Sequence, residues 1–315
     1  MDIKQYLMLG KQGTTFGGAA PGSYTAIPCD FDHPAIEQGV NIPKEYRNTR
    51  DAAFMMVAGN QRASWGAEGE PYADTFPFWL LSLLGQPTTS TPQTGVYVHT
   101  FTPQDATNFL GMKWSNSVQA FEMLNTTVDK LDLSYGGDEQ LMYSVEGQGS
   151  PFSTNAGGTP TYTTLRPLKH WMATATWSGG YSSKLISASL TYEQPREAVF
   201  YATGSTRAPG DFVAGERGGS FSAVVRYDSN ALYANTIDTS VAHAITLSFV
   251  DTGTVLASGH FPTLTVTLPQ VRFSKAKINT KGKYPTLEVE AEALMLDATA
   301  GYAIQLQIKN NVASY

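Results

Sequence analysis

Alternation with a period of two residues is the feature that most constrains this chain. Leu131, Leu133 and Tyr135 fall on one side of their segment and Asp132 and Ser134 on the other, while Leu264, Val266 and Leu268 oppose Thr263, Thr265 and Thr267. Near the C-terminus, Leu287, Val289, Ala291 and Ala293 oppose Glu288, Glu290 and Glu292, and Ile304, Leu306 and Ile308 oppose Gln305, Gln307 and Lys309. Successive side chains of a strand point to opposite faces, so each segment reads as a strand with one buried face. Similar runs rich in Val, Ile, Thr, Tyr and Phe, cut by Gly, Pro, Asn and Asp, recur along the chain. A mainly β protein is expected.

Helical spacing is scarce by comparison. The best case starts near Asp74, a candidate N-cap, and runs through Phe76, Trp79, Leu80, Leu83 and Leu84 before Gly85 and Pro87 stop it. The chain has 315 residues, 15% of them charged, against roughly 25% in an ordinary soluble domain. That length rules out a stapled mini-protein, and the lone Cys29 rules out an internal disulfide. The N-terminal residues lack a basic leader followed by a long apolar run. The stretch Phe78 to Leu84 is far shorter than the roughly 20 residues that span a bilayer, so a chain made and kept soluble, with no membrane partner, is expected. A net charge of −6 argues against tight binding of nucleic acid, which needs a basic footprint.

The segment SPFSTNAGGTP from Ser150 to Pro160 has the composition of an exposed connection. It divides the chain into expected domains 1–150 and 166–315 with a linker at 151–165. Internal similarity supports the division. Val57-Ala58-Gly59 recurs as Val213-Ala214-Gly215, and Ser64-Trp65 as Ser220-Phe221 in the same register. The Asp74 helix has an echo from Asp228 through Ala231, Leu232 and Tyr233. Val128 to Ser134 resembles Pro269 to Lys275, and Tyr143-Ser144-Val145-Glu146 resembles Leu287-Glu288-Val289-Glu290. The expected fold is a pair of duplicated β-sandwich or barrel domains, each with a short α-helix; one larger sandwich of merely similar strands is the alternative.

Chemistry-bearing motifs are missing. The five His residues are scattered, and no HExxH pair, GxSxG elbow or Walker-type loop is present. No catalytic, cofactor-binding or metal-binding residue is nominated. Asp30 and Asp32 could share a strand face, but two carboxylates do not satisfy the roughly six to eight oxygens that calcium takes. The five Trp residues could stack sugars, although core packing explains them as well.

Two charged features stand out. Glu288, Glu290 and Glu292 place like charges about 6.6 Å apart on one strand face, at about 3.3 Å of rise per residue. Such a face stays wet, as a guarded outer edge or as the wall of an electronegative channel. Just before it, Arg272, Lys275, Lys277, Lys281 and Lys283 form a basic hairpin around Asn279 and Gly282, either a solvated turn or a contact between stacked subunits.

The chain resembles the major tail tube proteins of long, non-contractile-tailed bacteriophages. Leu7-Met8-Leu9-Gly10-Lys11, Thr15-Phe16-Gly17 and Ile27-Pro28 look like their N-terminal segment. Ala188 to Tyr192, Glu197 to Phe200 with Gly204, and Ala214 to Arg217 are similar to their central strands; Leu264 to Val271 and Ile308-Lys309-Asn310 resemble their C-terminal strands. The resemblance implies a non-enzymatic, cofactor-free virion protein that polymerises as stacked rings into the conduit for DNA ejection. Three duplicated chains would form a pseudo-hexameric ring; without duplication, six chains would.

Other implied partners are the tape measure protein, the tail terminator and distal tail proteins, with duplex DNA passing without tight binding. The implied location is the phage tail, after assembly in the host cytoplasm. With about six domains giving four strands each at about 4.8 Å spacing, the wall would be about 37 Å across, and inward side chains would leave room for a duplex about 20 Å wide. On this reading Glu288, Glu290 and Glu292, with Glu146 as first-half counterpart, face the lumen, and the basic hairpin makes inter-ring contacts. The rival readings are a carbohydrate-binding or adhesive β-sandwich, and a hydrolase without a recognisable motif.

Overall fold

Most of each alternating segment lies in a hydrogen-bonded strand of a mainly antiparallel β-sandwich. The computed structural model describes residues 5–42, 56–136, 140–178, 185–201, 207–228, 233–234, 236 and 241–315. The first half carries β1 (Gln5–Gly13), β2 (Thr25–Ile27), β3 (Asp30–Asn41), β4 (Val57–Gly69), helix α1 (Pro77–Leu84), β5 (Thr88–Gln93), β6 (Val96–Phe101), β7 (Phe109–Asn116), β8 (Ala120–Tyr135), β9 (Met142–Gly149) and β10 (Ser153–Asn155). The second carries β11 (Ala173–Trp177), β12 (Leu185–Glu193), β13 (Arg196–Val199), β14 (Asp211–Ala214), β15 (Gly218–Arg226), β16 (His243–Val250), β17 (Thr263–Val271), β18 (Lys275–Asn279), β19 (Thr286–Ala291) and β20 (Gln305–Asn310).

A spine of eight antiparallel strands runs in the order β3-β4-β9-β8-β12-β15-β19-β18. A second sheet, β11-β16-β17-β20-β6-β5, also mixes the halves, because β20 pairs with both β17 and β6. Buried residues from both halves form one contiguous core. The two halves on either side of 151–165 thus share their packing. The 151–165 connection itself supplies β10, which pairs with the start of β8, and its Phe152 packs edge-on against Trp114 and Phe121.

β8 changes partners along its length. Its first part pairs with β7 and β10, its second with β9 and β12. Asn125 sits at the change with φ 54°, a left-handed conformation that Asn tolerates better than most residues. Its backbone N–H donates to Gln12 Oε1 at 2.7 Å, and its side-chain amide donates to Ser150 Oγ at 3.0 Å.

Helix α1 differs from expectation at its start. Asp74 is not the cap; Phe76 occupies that position and makes no side-chain cap bond. The Asp74 carboxylate accepts from the Thr163 hydroxyl instead, and its carbonyl accepts from Tyr315 at 2.9 Å. Every helix residue but Phe78 is buried, so the helix is a core element rather than an amphipathic one. It ends at Gly85, whose φ of 108° suits glycine. The second helix expected after Asp228 falls largely outside the described residues.

Arg196 fastens the halves. Its buried guanidinium donates to the Ser82 carbonyl of α1 at 2.9 Å and to the Val128 carbonyl of β8, and lies 3.2 Å from the Asp129 carboxylate. Asp129 also accepts from Gln148 at 2.8 Å. Burial pushes the Asp129 carboxyl above its ordinary range, with Arg196 opposing the shift. Removing one partner of such a pair leaves an uncompensated charge inside.

Candidate functional site

The spine has one face in the core and one open. Directly opposed residues of antiparallel strands share a face, so the register can be followed across the open side. One row runs Asp32, Gly66, Glu146, Lys130, Glu193, Gly218. A second runs Asp30, Glu68, Ser144, Asp132, Thr191, Ser220. Ser134, Ser189, Ser222, Glu290 and Lys275 form a third, and Val224, Glu288 and Lys277 a fourth. On the core side lie Trp65, Ala67, Leu131, Leu133, Val145, Leu190, Phe221, Leu287 and Val289, all buried.

Glu146, Glu288 and Glu290 therefore share the open face. Glu292 does not continue the strand: β19 ends at Ala291, Glu292 occupies an exposed bend, and Ala293 is exposed rather than buried. The basic hairpin is brought onto the same face. Lys275 Nζ lies 2.8 Å from Glu290 Oε2, and Lys277 Nζ lies 3.8 Å from Glu288 Oε2. Arg272 precedes β18, and Lys281 and Lys283 lie in the turn after it, all exposed. Two of the five basic residues thus neutralise two of the three glutamates, a pairing that their separate positions along the sequence do not reveal.

The first half adds three acids that sequence reasoning did not assign to this face. Asp30, Asp32 and Glu68 line one shallow depression together with Glu146. Alternation around Ala63, Trp65 and Ala67 would have put Glu68 on the open side. Among the described residues, no group of three His, Cys, Asp or Glu is placed to hold a metal ion. Lys130 stands among the acids, 2.8 Å from Asp132 and opposed by Glu146 and Glu193. The Asp132 hydrogen bond first, then these carboxylates, hold its ammonium above the ordinary lysine range.

The register also repeats between the halves. Trp65 opposes Gly147 and Ala67 opposes Val145 on β4 and β9; Phe221 opposes Ala291 and Ala223 opposes Val289 on β15 and β19. Gly66–Glu146 corresponds to Ser222–Glu290, and Lys130 opposite Glu146 corresponds to Lys275 opposite Glu290. The similarity of Val128–Ser134 to Pro269–Lys275 is out of step with this register, which sets Lys130 rather than Ser134 in the place of Lys275.

The spine ends in two open margins. Among the described residues, β3 pairs only with β4, and β18 only with β19. Unpaired margins template further pairing unless they are blunted. Both expose apolar side chains, Ile36 at 42% and Ile278 at 37%. Four of the five tryptophans are buried, with Trp171 exposed at 67%, so they form no sugar-stacking platform.

The antiparallel β-sandwich thus presents an acidic open face and two margins free to pair with another chain. The chain belongs to the phage tail tube protein family: the family model of that description matches residues 4–293. Membership makes it a structural protein of the virion tail that self-assembles into the tube. No curated protein matches it significantly. Among the described residues, no helix is long and apolar enough to cross a membrane.

Proposed function

We propose that three copies join margin to margin, so that their spines close into a barrel of about 24 strands through which the phage genome leaves a long, non-contractile tail. The observation that carries this reading is the repeated four-strand order: β3-β4-β9-β8 and β12-β15-β19-β18 each run hairpin, return strand, partner strand, with Glu146 and Glu290 in equivalent places. Each half, 1–150 and 166–315, acts as one tube domain, tied by 151–165, and a trimer is pseudo-hexameric. An even number of antiparallel strands lets β18 meet the next β3 antiparallel, so closure needs no change of strand sense.

The open face lines the bore in this reading. A basic wall would gain counterion-release free energy at every phosphate and arrest the duplex; an acidic one lets it slide. The exposed Arg272, Lys281 and Lys283 serve ring-to-ring contacts, while Lys275 and Lys277 temper the lumen charge. The tape measure protein fills the bore before the DNA, terminator and distal proteins close its ends, and assembly takes place in the host cytoplasm.

The test is electron microscopy of the purified protein followed by DNA passage. Annuli or stacked hollow filaments are expected, and tubes carrying Glu288→Lys, Glu290→Lys and Glu292→Lys together should assemble but release DNA poorly. Uniform monomers at high concentration, or normal release through the triple variant, would overturn the reading.

A further inference from the structure

The chain contains a worked copy of the junction its neighbours must make. β8 stands in the first half where β18 stands in the second, and β12 where β3 stands in the first, because each occupies the same position in the repeated four-strand order. The internal seam between β8 and β12 is thus topologically equivalent to a seam between β18 and the β3 of a second copy.

Equivalent residues follow from pairing. Lys130 opposes Glu146 as Lys275 opposes Glu290, so Lys130 matches Lys275. Glu193 opposes Gly218 as Glu37 opposes Arg62, and Gly218 and Arg62 hold the same place relative to Phe221 and Trp65, so Glu193 matches Glu37. By the same steps Tyr192 matches Ile36, Leu133 matches Ile278 and Thr191 matches Ala35. Within the chain, Lys130 faces Glu193 directly.

Resting on the ring reading above, we propose that β18 of one copy docks on β3 of the next with Lys275 opposite Glu37, Ala276 opposite Ile36 and Lys277 opposite Ala35. Two independent features support this register. The core-side residues of the internal seam, Leu133 and Tyr192, are 4% and 3% exposed, whereas their counterparts Ile278 and Ile36 are 37% and 42% exposed; joining the margins covers both. On the open side, among the described residues, Lys275 touches Glu290 on one flank only, and Glu37 touches Arg62 at 2.8 Å on one flank only. Docking sets each between two opposite charges, as Lys130 lies between Glu146 and Glu193. The bulge at His33 and Pro34 interrupts the new ladder at one point, as it already interrupts the β3–β4 ladder. The competing account is that Lys275, Lys277 and Pro34 merely guard idle margins against aggregation.

Opposed Cβ atoms in such a pair lie about 4.5–5.5 Å apart, against about 7–8 Å for a diagonal neighbour. On a Cys29→Ser background, tubes carrying Lys275→Cys with Glu37→Cys should cross-link between copies with dibromobimane. Lys277→Cys with Ala35→Cys, a second pair of exposed positions in the same register, should do the same should the first pair disturb assembly. The offset pair Lys275→Cys with Ala35→Cys should link several-fold less. Tubes that form but link best at the offset pair, or at neither matched pair, would overturn the register while leaving the ring intact. A wild-type chain that forms no rings at all would overturn the ring reading instead.

Discussion

The two halves of the spine share one topology and carry opposite charge economies. The first half gathers Asp30, Asp32, Glu68 and Glu146 around a depression served by one lysine, Lys130. The second sets Glu288 and Glu290 against Lys277 and Lys275 on the neighbouring strand. The strand order tolerates this divergence because open-face side chains are wet and their pairs contribute little to folding. The core face is less forgiving. Where β4 carries Trp65, the opposed residue is Gly147; where β15 carries the smaller Phe221, the opposed residue is Ala291. A Cβ on Gly147 would lie 2.6 Å from the Trp65 ring and closer still to the Thr127 carbonyl, so volume lost on one strand is restored on the other. Divergence on the open face is therefore electrostatic, and on the core face it is compensated packing.

The largest effect should come from separating the halves. Arg196→Ala is expected to cost about 3–5 kcal/mol in chemical denaturation, because Asp129 is left buried without its counter-charge. The sign of its pH dependence follows from burial, which raises the folded-state pKa of Asp129. The cost is greatest where the carboxylate is charged, at neutral pH, and is relieved as acid protonates it. Denaturation at two pH values checks this, and a loss independent of pH would contradict it.

Core compensation is the next comparison to break. Gly147→Ala should destabilise by about 1–3 kcal/mol through overpacking. Trp65→Phe should ease the ring contact but not that with the Thr127 carbonyl, giving a partial rescue. Non-additive thermal shifts in this double-mutant cycle would sharpen the equivalence with Phe221 and Ala291; strictly additive shifts would break it.

Charge on the open face should matter less to folding than to DNA. Tubes with Glu68→Lys and Glu146→Lys are expected to retain a short duplex at low salt more strongly than unaltered tubes, with log affinity falling by about 0.9 per phosphate contacted for each unit of log salt. Equal retention would mean that the first half does not dominate the lining. The smallest effect should be Lys130→Ala, whose side chain is 36% exposed, at no more than about 1 kcal/mol in a melting experiment.

Much of this architecture was legible in the sequence, for definite reasons. Alternation exposed the buried faces of β8, β17, β19 and β20, since a strand's two sides are a local property. Ser64-Trp65 with Ser220-Phe221, and Tyr143 to Glu146 with Leu287 to Glu290, marked the strands that oppose one another in the two halves. What was hidden is non-local. That Lys275 meets Glu290, or that Lys130 is its counterpart, depends on bulges and on which strands become neighbours, and neither leaves a sequence signal. Asp74 looked like a cap because Asp commonly is one, yet Thr163 and Tyr315, distant along the chain, claim its carboxylate and its carbonyl.

A cryo-EM reconstruction of assembled tubes tests the central claim most directly. The expected map shows three copies per ring, an inner wall made of the continuous spine, and Glu146 and Glu290 projecting into the bore. A wall built from the β11-to-β5 sheet, or margins of β3 and β18 left unpaired between copies, would contradict it.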